Sequence, residues 1–240
     1  KRDCMSSILA RPSTLPHQRR VARGPVAMGL VPSHSFKLLL AAGRSMRNHE
    51  YLPRAALEQL GFAALGEDVR IHPSCVLFGC DRISIGSHVR IDPFCIITIG
   101  SWLSIGSFVH LSGHAALVGG GAIEIGDHAN VSHGAKILSS SDHFSAAAIA
   151  GPLVPDAYRQ VDQQPITLGR HAILGAGSVV LPGGLLGEGT AVGAVSLVKY
   201  ALPAWSVAAG CPARVVGRRD RDGVVAREEQ FRAGRRSPAR

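Results

Sequence analysis

The stretch ISIGSHVRIDPFCIITIGSWLSIGSFVHLSGHAALVGGGAIEIG, residues 83–126, decides the fold. An aliphatic–glycine pair stands at Ile85-Gly86, returns at Ile105-Gly106 and closes the stretch at Ile125-Gly126, and Leu65-Gly66 stands 20 residues before the first. Between these pairs, aliphatic residues fall six apart: Leu65, Ile71, Leu77; Ile85, Ile91, Ile97; Ile105, Leu111, Leu117; Ile125, Val131, Ile137. Each 20-residue unit is therefore three hexads plus two surplus residues at one corner. A period of six is neither the 3.6 of a helix nor the 2 of an alternating strand. Three short strands per turn, each sending one aliphatic side chain inward, give a triangular prism. Its coils stack by parallel ladders and bury their apolar rows only against neighbouring coils. Small residues at the corners suit tight bends and positive φ. The pattern predicts an all-β left-handed parallel β-helix, a hexapeptide-repeat solenoid with an extruded loop and short flanking helices.

From Ile125 the next in-phase aliphatic residue is Leu168, 43 residues on, where one coil needs 20. About 23 residues, roughly 143–165 (HFSAAAIAGPLVPDAYRQVDQQP), must leave the prism and return to it in register. Such loops on rigid scaffolds carry function disproportionately, and with Phe144 and Tyr158 aboard this one reads as an ordered arm. The hexads then resume at Leu168, Leu174, Val180, Leu186, Val192 and Val198 with no surplus residues. The β-helix domain is thus predicted over 51–217, capped at its start by a short helix between Tyr51 and Gly61. Residues 1–50 form a basic N-terminal segment, partly disordered or helical. Residues 218–240 form a basic tail, with a helical piece around Val224 to Arg232 and disorder elsewhere.

Composition agrees with a narrow, repetitive interior: 46% of residues are hydrophobic but only 5% aromatic, and there are 28 glycines. The net charge of +9 comes largely from arginines outside the repeats. Such terminal runs read as solvated tails, not as a nucleic-acid face, and a basic protein suits anionic substrates. Five cysteines without a CxxC pair argue against a disulfide framework or zinc knuckle and for a reducing cytoplasm. The apolar run Leu38 to Ala42 is too short to cross a membrane and no secretory signal is evident. The chain begins at Lys1, and Met28 or Met46 would serve equally as a native start.

Acyl transfer from a thioester needs a base for the acceptor amine or hydroxyl, a donor for the tetrahedral oxyanion and a groove for a long pantetheine chain. His143, at the root of the arm, is placed as that base, both positioned and accessible, with Asp142 beside it to orient it or tune its pKa. His114 and Ser112 lie one coil earlier, with Asn130 and His133 on the intervening hexads, as groups that orient or polarise an acceptor. His88, His128 and His171 share the fourth place of a first hexad and mark one face. His128 and His133 form an HxxxxH pair, which raises a zinc site of the γ-class carbonic-anhydrase type, although zinc needs three or four convergent ligands. A non-catalytic scaffold is the third reading.

The hexads, the arm and the closing run ITLGRHAILGAGSVVLPGGLLGEGTAVGAVSLVKYALPAWSVAAGCPARVVGRR resemble the hexapeptide-repeat acetyltransferases over roughly residues 51–218. The segment SSSDHFS…PLVPDAYRQV…PITLG is similar to sugar-modifying members of O-antigen and surface-polysaccharide pathways, including those that acetylate dTDP-4-amino-4,6-dideoxyglucose. The resemblance implies a cytoplasmic homotrimer with acetyl-CoA between adjacent prisms, a sugar or aminosugar acceptor and no required metal. It implies backbone groups at Gly175, Ala176, Ser178 and Ala194 along the pantetheine chain, with Arg214 and Lys199 at the coenzyme phosphates, where both side chains supply positive charge and donors. The sequence departs from galactoside and maltose O-acetyltransferases in two places. Their catalytic histidine falls at Asp142, one residue before His143, and their partner asparagine falls at Ser112.

Overall fold

A computed structural model describes residues 50–144 and 148–236. The expectations for residues 1–49 and for the last four residues lie outside that range. Three parallel sheets form the faces of a prism. The first runs through seven strands, from Ala64–Leu65 to Ala201–Leu202. The second runs from Arg70–Ile71 to Ser206–Ala209 and is closed by Arg214–Arg218 in antiparallel pairing. The third has six strands, from Val76–Phe78 to Leu197–Val198. The fold is the expected left-handed β-helix, and its register follows the sequence period. Ser84 lies opposite Ser104, Ile123 opposite Ile166 across the arm, and Leu168 opposite Leu186 in the tighter coils.

Of the aliphatic residues that set the hexad pattern, all are buried except Leu65 and Leu77, which are partly buried in the first coil. That coil lies at an open end of the stack. The helix Arg54–Gln59, entered from Pro53, sets Leu57 against it with 1% of its surface exposed.

The structure revises the reading of the corners. The glycine of each aliphatic–glycine pair is required by close approach of coils, not by positive φ. A Cβ on Gly86 would stand 2.7 Å from the Gly106 carbonyl carbon, and one on Gly66 2.4 Å from that of Gly86. Positive φ falls instead on bulky residues two positions later, at His88, Phe108, His128 and His171, and again at Trp205. Left-handed backbone is unfavourable for such residues, and ring stacking compensates. His88 to Phe108, Phe108 to His128 and His128 to His171 stack at 4.7, 4.9 and 5.0 Å between centroids. A second corner carries Phe94 and His114, also at positive φ and stacked at 5.1 Å.

The helix expected around Val224 to Arg232 in the basic C-terminal tail is present but longer than expected, and it packs on the prism. Arg221–Arg236 form one continuous helix docked on the first ring column. Phe231 meets Phe108 edge-on at 5.2 Å. The Glu228 side chain, 5% exposed, reaches His171 Nε2 at 2.7 Å, His128 Nε2 at 3.3 Å, Arg232 at 2.7 Å and the Arg170 guanidinium. Burial opposes the Glu228 charge, but hydrogen bonds from Arg170 and His171 with the charges of Arg170 and His128 outweigh it and draw its pKa down to about 2. The sequence concealed this docking because the helix is held by the Glu228 carboxylate, the Phe231 ring and Arg235, which meets His88 Nε2 at 2.7 Å and lies over the Phe108 ring, and not by a broad apolar stripe.

Two tests follow from this packing. Gly86→Ala forces backbone against backbone and lowers stability by about 1–3 kcal/mol, read as a fall in the midpoint of urea unfolding. Glu228→Gln removes the charge that the Arg170 and Arg232 guanidinia and the His128 and His171 rings face, and lowers stability by about 2–4 kcal/mol at neutral pH. The folded-state pKa of about 2 lies below the ordinary 4.5, so this contribution is complete above 4.5 and disappears as pH falls through about 2. Thermal melts across that window fall for the native chain and change less for the variant; parallel curves would contradict the assignment.

Candidate functional site

The arm leaves from the corner that carries the two surplus residues in each earlier coil. Ser139 is fully buried there, its hydroxyl donating to the Gly121 carbonyl at 2.9 Å. Ser140–Asp142 and Val161–Gln163 then pair antiparallel, so the arm leaves and returns as a two-stranded ribbon. The Gln164 N–H donates to the Ser139 carbonyl at 3.1 Å and that of His143 to the Gln160 carbonyl at 2.8 Å, locking the root on both sides. Asp142 fixes the outer arm: its carboxylate accepts from the Gly151 N–H at 3.0 Å and from Arg159 at 3.4 Å. Beyond the root, Phe144 and Leu153 are each 96% exposed, and Tyr158 lies on a short 3-10 turn, Asp156–Tyr158.

Between the ribbon and the prism lies a groove of about 840 Å³, into which Asp142, His143, Gln164, Lys199 and Tyr200 face. Lys199 stands over the Tyr200 ring at 5.8 Å. Asp142, His143 and Lys199, the last assigned from the sequence to coenzyme phosphates, all line this groove, with the Asp142 carboxylate turned to Gly151 and Arg159 and not assigned to orienting His143.

His114 is not part of this groove. It occupies the corner between the second and third faces, stacked on Phe94 and edge-on to His133 at 5.2 Å. Gly175, Ala176 and Ala194 lie on that same corner in later coils. A Cβ on Gly175 would meet the Gly193 carbonyl carbon at 2.5 Å, so the surface there is bare backbone. Ser178 faces inward and is fully buried; its hydroxyl donates to the Gly193 carbonyl at 2.9 Å and accepts from the Ser196 N–H at 3.0 Å. Arg214 begins the exposed terminal strand. One prism therefore carries its candidate groups on two separate corners. His128 stacks in the ring column of the remaining corner, so the HxxxxH pair does not converge, and among the described residues no cluster is suited to a metal.

Sequence reasoning missed one constellation. On the second face Asp92 accepts from Arg90 Nε at 2.6 Å and Nη2 at 3.1 Å, and from the Tyr51 hydroxyl at 3.2 Å. It also meets His110 Nε2 at 2.8 Å. Burial raises the Asp92 pKa, but the hydrogen bonds from Arg90 and His110 prevail and hold it below the usual carboxylate value. The available signal was the 20-residue period itself, which places Arg90, His110 and Asn130 on successive rungs of one row.

No family model matches the chain. It is 37% identical over 172 residues to dTDP-4-amino-4,6-dideoxy-D-glucose acyltransferase of Escherichia coli, covering 71% of this chain and 90% of that protein. The crystal structure of AntD, an N-acyltransferase from Bacillus cereus in complex with dTDP and 3-hydroxybutyryl-CoA, superposes with a TM-score of 0.75 at 36% identity, over 78% of this chain and 98% of that one. A variant of AntD in complex with dTDP-4-amino-4,6-dideoxyglucose and coenzyme A gives 0.73 at 35% identity, over 76% and 97% of the two chains. The repeat, the arm and this likeness lead to one conclusion: the chain belongs to the hexapeptide-repeat acyltransferases that include dTDP-4-amino-4,6-dideoxy-D-glucose acyltransferase, and it is an acyltransferase.

Proposed function

We propose that this enzyme transfers an acetyl group from acetyl-CoA to the amine or hydroxyl of a nucleotide-linked sugar or aminosugar, in the cytoplasm and on the way to a surface polysaccharide. The groove at the arm root carries this reading: it holds two proton-accepting side chains, Asp142 and His143, beside a cation, Lys199, at the foot of an ordered arm. Relatives that bind dTDP-linked substrates and acyl-CoA support the donor and acceptor classes.

The acceptor nitrogen or oxygen attacks the thioester carbonyl, and His143 takes the proton that attack releases. Asp142, tied to Gly151 and Arg159, keeps the root of the arm in place. A backbone N–H of the following coil holds the developing oxyanion. Collapse expels the coenzyme thiolate, which recovers the proton from His143. Acyl-CoA lies against the bare backbone at Gly175, Ala176 and Ala194, with Ser178 bracing the coil behind it and Arg214 at the phosphates. The division of these groups between two corners favours a homotrimer, in which one protomer's arm faces its neighbour's glycine-lined corner. There His114 lines the acceptor side of the shared cleft.

His143→Ala lowers kcat by about 100-fold or more, the range of a lost general base, while the melting temperature and trimer persist. Coenzyme A release with a dTDP-aminosugar acceptor measures it, and an unchanged rate would remove His143 from this role. Asp142→Asn raises acceptor KM by loosening the arm, with increased proteolysis between residues 143 and 165 as the independent readout.

A further inference from the structure

The corner that carries the ring column holds a recess of about 500 Å³ between the column and the C-terminal helix. The column contributes His128 and His171, and the helix contributes Val224, Arg227 and Phe231. Arg219 lines it from the turn between the last strand and the helix. No residue of this lining belongs to the groove at the arm root.

Arg219 is the member whose environment is incomplete. Its main-chain N–H donates to the Trp205 carbonyl at 2.8 Å, and its Nη1 donates to the carbonyls of His171 at 2.7 Å and Gly189 at 3.1 Å. The guanidinium is thereby fixed through one terminal nitrogen. Its Nε–Nη2 edge makes no hydrogen bond among the described residues, and no carboxylate there pairs with it. Burial draws the Arg219 pKa below its ordinary value, and no counter-charge opposes that effect. Glu228, by contrast, meets Arg170, Arg232 and two imidazoles. Asp220 is turned to the start of the helix, where it accepts from the Gly223 N–H at 3.1 Å. Arg227 donates to Gln230 at 3.2 Å and also has no carboxylate partner among the described residues.

Withdrawing a guanidinium from water without an opposite charge is unfavourable. A tether to two carbonyls occupies one nitrogen and gives the opposite edge no role. That edge presents parallel N–H donors, which match two oxygens of a carboxylate or phosphate. Val224 and Phe231 supply apolar contact nearby, and the volume lies within the roughly 300–1,000 Å³ of small-molecule sites.

We propose that this recess binds a small organic anion, its carboxylate or phosphate on the Nε–Nη2 edge of Arg219 and its apolar body against Val224 and Phe231. Arg227 adds a second positive charge. An occupant touches prism and helix together, so its binding free energy also holds the helix down.

Calorimetry on the full chain tests this with benzoate and phenyl phosphate as separate probes, in saturating coenzyme A so that phosphate positions along the coenzyme groove are filled. At least one probe binds with a Kd below about 1 mM; which one binds tells a carboxylate ligand from a phosphate ligand. Arg219→Gln, which removes the charge, and Val224→Phe, which fills the recess and leaves the charge, each weaken binding by about tenfold or more. In the native chain the bound probe slows amide hydrogen exchange over residues 221–231 by about fivefold or more. Failure of both probes to bind would overturn the site. So would binding that survives Val224→Phe, or protection that falls elsewhere in the chain. If neither variant folds, the exchange pattern of the native chain decides.

Discussion

Each coil of this prism lies directly on the next, main chain against main chain, wherever an aliphatic–glycine pair turns the first corner. With glycine Cβ positions facing carbonyl carbons of the neighbouring coil at 2.4–3.0 Å, no side chain fits. That contact sets the pitch of the stack. The pitch brings the parallel ladders into register, and the ladders align one aliphatic residue per strand into continuous columns such as Ile71, Ile91, Leu111 and Val131. Stability then accumulates coil by coil from nearest-neighbour burial, and the outer surface inherits the same 20-residue spacing as the core.

The three corners divide the work. One carries a column of stacked rings at positive φ and receives the C-terminal helix through Glu228. The second carries the Phe94–His114 pair and, in later coils, the glycine-rich surface. The third holds the surplus residues and releases the arm. Because few rings enter the core, the scarce aromatic residues are available outside it, where they hold bulky residues in a backbone conformation usually left to glycine.

The hexad spacing made the fold, the coil lengths and the origin of the arm legible, because each inward residue has one geometric duty. The position of Asp142 and His143 at the arm root was legible for the same reason: a break in a strict period marks a place. Lys199 stood out in the sequence as a candidate cation, but its position beside the arm was not legible, since its corner depends on counting coils of 18 after coils of 20. The Asp92 cluster was hidden because its members are far apart in sequence and meet only through stacking. The C-terminal helix was legible in part, around Val224 to Arg232, but its docking was hidden because a single buried carboxylate among arginines looks, in sequence, like any other charge in a basic tail.

The arm has a consequence for how such a protein diverges. Ile123 pairs with Ile166 as directly as it pairs with Leu103, so the ladder passes beneath the arm as though nothing had been inserted. The prism therefore imposes no length on what leaves at Ser140 and returns by Gln163. Substitution, lengthening or exchange of that segment leaves every rung of the scaffold in place. Selection can retune the arm while the stacked coils, and the corners they present, descend unchanged.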